Sequence, residues 1–122
     1  MFLQILKAKI QGLVVNESNI NYPGSISLPE ELMVATGIRE FELVHVNNRT
    51  NGNRILTYAI RNKKKGMVTI NGAASKLFNQ GDIIHVLAFA FIDENEANTF
   101  KPVLVITNND NILVEKKPYC LE

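Results

Sequence analysis

Polar and apolar residues alternate along most of this chain with the period of a strand. Residues 2–10 set Phe2, Gln4, Leu6, Ala8 and Ile10 on one side and Leu3, Ile5, Lys7 and Lys9 on the other. Either side can face a core, and Lys9 lies where a strand leaves it. Leu13 to Val15 is a second short apolar run, followed by the polar, turn-rich stretch Asn16 to Asn21. Phe41 to Val46 and Arg54 to Ile60 alternate as well. They flank a loop with Asn51-Gly52 at its tip, which predicts a hairpin. In the second of these strands Arg54 and Tyr58 share a face, about 13 Å apart at the usual rise per residue. Met67 to Ile70, Val103 to Thr107 and Ile112 to Val114 predict further strands. Ile83 to Ile92 follows the Gly81-Asp82 turn and is apolar enough to predict burial on both faces.

Helical signals are few and short. Ser27 and Glu30 have capping-box spacing, Pro29 suits a first turn and Gly37 a stop, which predicts a helix over Glu30 to Thr36. Ala73 to Phe78 and Asp93 to Asn98 each predict about one turn. The tail, with Glu115, Lys116 and Lys117, is expected to be loosely held. Many short strands, small helices and no βαβ alternation place the chain in the mainly β class, as a closed or nearly closed barrel.

Composition narrows the function classes. The 122 residues fit a single domain, 1–122, and 46% of them are apolar, enough for a core. Thirteen basic side chains against twelve acidic ones leave a formal charge of +1. That balance argues against a nucleic-acid partner, and the run Lys63-Lys64-Lys65 is read as a solvated loop. No apolar run is long enough to span a bilayer, so no membrane partner is expected. The single cysteine, Cys120, excludes an internal disulfide and fits a reducing cytoplasm. His45 has no second histidine close by in sequence and is read as an ordinary strand residue.

The stretch that carries chemistry is Tyr22-Pro23-Gly24-Ser25. Pro followed by Gly predicts a type II turn with Gly24 at positive φ. The Ser25 hydroxyl then stands beside a Gly24 carbonyl uncrowded by any Cβ. Together with Lys9 upstream, and Arg54-x-x-Thr57-Tyr58 and Asn71-Gly72-Ala73-Ala74 downstream, this stretch resembles aspartate 1-decarboxylase. That family of small pyruvoyl enzymes processes itself. The resemblance runs from about Leu6 to about Pro102.

The resemblance implies a six-stranded double-psi β-barrel, a homotetramer with active sites between subunits, and L-aspartate as substrate. It implies self-cleavage between Gly24 and Ser25 into chains 1–24 and 25–122, which converts Ser25 to a pyruvoyl group. No metal is implied. By the same likeness Ser25 forms the Schiff base, Tyr58 donates the proton and Thr57 is the oxyanion donor during processing. Lys9, Arg54, Thr57, Asn71, Gly72, Ala73 and Ala74 bind substrate, and Tyr22 lies beside the cut. Three positions depart from the family pattern: Pro23 stands where an acidic residue is usual, Gln11 where histidine is, and Asn47 where an aromatic is common. Some members need a helper protein for cleavage. The competing reading is a non-catalytic β-barrel or swapped-hairpin binding module, for which Gly24-Ser25 would have no use.

Overall fold

The computed structural model describes residues 1–121, so Glu122, the last residue of the expected larger chain, lies outside the described residues. Nine strands and two short helices follow in the order β1 (Phe2–Val14), β2 (Glu17–Asn19), β3 (Ser25–Pro29), α1 (Glu30–Thr36), β4 (Leu43–Asn48), β5 (Arg54–Asn62), β6 (Thr69–Asn71), β7 (Ile83–Asp93), α2 (Glu94–Ala97), β8 (Val103–Thr107) and β9 (Leu113–Pro118). A 3₁₀ turn over Ala73–Leu77 sits between β6 and β7. The strands hydrogen-bond in the order β2-β6-β3-β5-β4-β7-β1-β8-β9, and the mainly β expectation is met.

Strand β1 resolves which of its sides faces inward, and the answer changes along its length. Its register against β7 slips at Lys7 and again at Gly12. Each slip inserts one residue and flips the faces that follow it. Before Lys7, Phe2 and Gln4 are exposed; after it, Ala8 and Ile10 are fully buried and Lys9 points outward. Lys7, left out of the ladder, donates from Nζ to the Glu42 carboxylate at 2.9 Å and to the Gly37 carbonyl at 3.0 Å. A simple alternation rule cannot foresee such a switch.

The core gathers Ile10, Leu13, Val15, Ile26, Leu28, Val44, Val46, Ile70, Ile84 and Val86, with Leu32, Met33 and Ile38 from α1 and its exit. Gly37 closes α1 at φ 74°, as expected of a glycine stop. The capping box is not formed. Ser27 lies inside β3, buried and paired with Ile60 and Thr69, so Pro29 takes the cap position without a side-chain bond. The expected two-sided burial of Ile83 to Ile92 is also corrected. In β7 Ile84, Val86 and Ala88 are buried, whereas Phe91 is 72% exposed, because the outer side of the sheet has no covering layer within one chain. The tail is not loose either. β9 pairs with β8 as far as Pro118↔Val103, and Tyr119 N–H donates to the Pro102 carbonyl at 2.7 Å.

Asn111 ties three segments together from a fully buried position at φ 59°. Its Oδ1 accepts from Val14 N–H at 2.8 Å, and its Nδ2 lies within 3.0 Å of the Val14 carbonyl, Asn16 Oδ1 and the Gly66 carbonyl. It thereby joins the end of β1 to the loops before β6 and β9.

Candidate active site

β3 begins at Ser25 because its backbone pairs on both sides, antiparallel with β6 (Ser25↔Asn71) and parallel with β5 (Ile26↔Ala59). This buries Ser25 to 3% exposure while Tyr22 and Gly24 remain exposed. Asn71 Nδ2 donates to Ser25 Oγ at 3.1 Å, and Ser25 Oγ lies 3.4 Å from the Pro23 carbonyl. A buried hydroxyl is therefore held at the peptide bond where the chain surfaces.

Gly24 is not at positive φ, so the type II turn does not form; Ser25 is already committed to the sheet, and the chain enters it on the ordinary side. The left-handed glycine is Gly72, at φ 80°, lying back to back with Gly24. A Cβ at Gly72 would stand 2.5 Å from Gly24 Cα and 3.3 Å from the Tyr22 carbonyl, so only glycine permits this approach. Gly72 N–H donates to the Asn19 carbonyl at 2.8 Å, which closes the loop carrying Tyr22 and Pro23. Ala73 and Ala74 open the 3₁₀ turn that follows, and the first N–H groups of such a turn have no partner inside it.

The register of β3 on β5 brings Thr57 and Tyr58 beside Gly24 and Ser25. Both are half-buried and, with Phe41 and Leu43, line an open depression of about 430 Å³. Phe41 sits at φ 69°, an uncommon conformation for a bulky residue, and its ring lies 6.2 Å from that of Tyr58. Nothing in the sequence pattern marks Phe41; its role is visible only once the backbone is known. Arg54 shares the outer face with Tyr58, as the alternation predicts, and is exposed. Lys9 is on that face too, on β1. With β4 and β7 between β5 and β1, Lys9 and Arg54 are three strand spacings apart, about 14 Å along the sheet. Lys9 Nζ lies 5.8 Å from the centre of the Tyr119 ring.

The two unusual residues Gln11 and Asn47 fall in one row with Arg54 and His85. Gln11 pairs with His85, His85 with Asn47, and Asn47 with Arg54. His45 packs against Phe89 with ring centres 4.8 Å apart, in keeping with its reading as a strand residue. Among the described residues, no cluster of three or more His, Cys, Asp or Glu could hold a metal ion, and no helix is long and apolar enough to cross a membrane.

The structure thus defines a small β protein with a buried serine hydroxyl held at an exposed glycine–serine bond, with a threonine and a tyrosine beside it. Comparison with known proteins makes the identity specific. The family model for aspartate decarboxylase matches residues 1–114. The chain is 48% identical over 112 residues to the aspartate 1-decarboxylase of Stenotrophomonas maltophilia (strain R551-3), covering 91% of this chain and 89% of that one. It is 49% identical over 114 residues to that of Xanthomonas axonopodis pv. citri (strain 306), covering 93% and 90%. It is 43% identical over 116 residues to that of Pelotomaculum thermopropionicum, covering 94% and 88%. The chain belongs to the aspartate decarboxylase family and is an enzyme of that family.

Proposed function

We propose that this chain cuts itself between Gly24 and Ser25 and, once cut, decarboxylates L-aspartate to β-alanine and CO₂ for pantothenate synthesis. The observation that carries this reading is the Asn71 amide donating to the buried Ser25 hydroxyl, against the Gly24–Gly72 contact. In the cut, Ser25 Oγ attacks the Gly24 carbonyl carbon, the C–N bond breaks as an ester forms, and the serine nitrogen is freed as an amine. A Thr57 hydroxyl aimed at the developing oxyanion would lower that barrier. Elimination across Cα–Cβ of Ser25 releases the Gly24 carboxylate; water then adds and ammonia leaves. The products are chains 1–24 and 25–122, the second beginning with a pyruvoyl group.

The residues around Ser25 fit such a group: the cradle is closed by a glycine where a Cβ would clash, and Asn71 offers a donor within it. The pyruvoyl group supplies an electron sink for an amine substrate, as a pyridoxal cofactor would. The chain's own residues do the rest. Arg54 can take a carboxylate bidentately, and Lys9 adds a point charge. Tyr58, through its phenol O–H, delivers a proton to Cα after CO₂ departs. Asn71 and the backbone of Gly72, Ala73 and Ala74 hold the substrate.

The spacing of Lys9 from Arg54 within one chain favours sites completed between subunits. So does the exposed apolar face of Phe41, Leu43, Leu56 and Phe91, and a homotetramer is part of the proposal. A helper protein that speeds cleavage and a cytoplasmic location complete it. Intact mass under denaturing conditions tests the reading. Two fragments parting between Gly24 and Ser25, the larger without a free amino terminus, are expected. A single uncut chain that nonetheless yields β-alanine would sink the pyruvoyl assignment.

A further inference from the structure

His85 and Asn47 lie on the outer face, and the proposed reaction gives neither of them a task. The slip of β1 at Gly12, where φ is 94°, takes the Gly12 N–H out of the β1–β7 ladder. His85 Nδ1 accepts it at 3.2 Å. An Nδ1 that accepts leaves the proton of the neutral ring on Nε2, directed away from Gly12. Burial, and then the positive charges of Lys9 and Arg49, push the His85 pKa below 6.5. The ring is therefore a fixed neutral donor at pH 7.

The surroundings of this donor are built for an anion. Gln11, His85, Asn47 and Arg54 form one cross-strand row over β1, β7, β4 and β5. Lys9 and Arg49 lend positive charge at the His85 end of the row and Arg54 stands at its other end, and none of the three forms an ion pair among the described residues. Asn47 Oδ1 is buried without a donor. An acceptor left so is destabilising unless an occupant brings a proton to it. Cations and neutral donors beside one orphaned acceptor match a short amino acid with a side-chain carboxylate.

We propose that His85 is a substrate-contacting residue whose Nε2–H donates to a carboxylate of the bound dicarboxylate, on the row that runs from Gln11 to Arg54. The proposal rests on the decarboxylase reading, and two measurements keep the two apart. In His85→Leu, intact mass should show the same fragments as the parent. KM for L-aspartate should rise roughly tenfold with kcat little changed, the loss of one hydrogen bond to a charged group. His85→Gln, which regains an N–H donor at similar reach, should recover most of the KM. An unchanged KM in His85→Leu, a fall in kcat without a rise in KM, or a KM raised equally in His85→Gln would each overturn the proposal.

The second measurement needs no turnover and no variant. Succinate is titrated into the parent protein while the His85 ring is followed by NMR. A saturable shift supports the contact, and no shift at millimolar succinate overturns it. Should the parent fail to decarboxylate aspartate, the decarboxylase reading falls and the succinate titration alone decides this one.

Discussion

Gly72 illustrates how much of the site depends on a missing Cβ. At φ 80° and ψ −161° an alanine there would sit in a backbone region open essentially to glycine alone, a strain of about 1–3 kcal/mol even in open space. The Gly24 backbone stands in its way besides. Gly72→Ala should slow cleavage at least tenfold, followed as the loss of the uncut mass with time. Asn71→Ala removes the donor to a buried hydroxyl, a loss of about 1–3 kcal/mol, and should slow cleavage by a similar or larger factor. Tyr58→Phe should cleave as the parent does yet lose most β-alanine production; full turnover in that variant removes Tyr58 from the acid role. His85 makes a pH prediction. Its pKa is lower in the folded chain than the ordinary 6.5, so on acidification the unfolded chain takes up the proton first. Stability is therefore lost as pH falls from about 6.5 toward the lower folded value, and urea midpoints should drop more steeply below pH 6.5 for the parent than for His85→Gln. Ser25, Asn71, Thr57, Tyr58 and Arg54 could be named from the sequence only through the family resemblance, since their local pattern is equally that of an ordinary surface turn and strand. Gly72 could be named, but its packing role could not, because the contact joins segments 48 residues apart. His85 and Phe41 carry no local signal at all. What singles them out is a hydrogen bond to a bulge and a positive φ.

At the level of elements, strands were legible because their period survives in the sequence, and the Asn51-Gly52 hairpin formed as its turn residues require. Local rules failed where tertiary pairing overrode them. The Ser27/Glu30 spacing is genuine, but β3 recruits Ser27 for two ladders at once, and a side chain buried in a sheet cannot also cap a helix. The inward side of β1 could not be fixed because two bulges change it midway. Asn111 holds the far end of that strand, and four bonds converge on its side chain. Asn111→Ala leaves several of those partners buried and unpaired, so a stability loss of about 3 kcal/mol is expected in urea unfolding. A loss below about 1 kcal/mol would show that water replaces the network.

The whole molecule presents one side of its sheet uncovered. Leu43 and Leu56 are more than half exposed on adjacent strands, next to Phe41 and Phe91. On the proposed homotetramer, Leu56→Glu should lower the sedimentation coefficient to that of a monomer with the circular dichroism unchanged, and turnover should fall with assembly; sedimentation equal to that of the parent would place any interface elsewhere. β1 lies between β7 and β8, yet it reaches the rest of the chain only through the segment that contains Gly24. Cleavage there would leave a central strand held by pairing alone. The mature protomer is then a complex of two polypeptides rather than a single chain. Its unfolding is a dissociation governed by mass action, and dilution joins heat and urea among the agents that undo it.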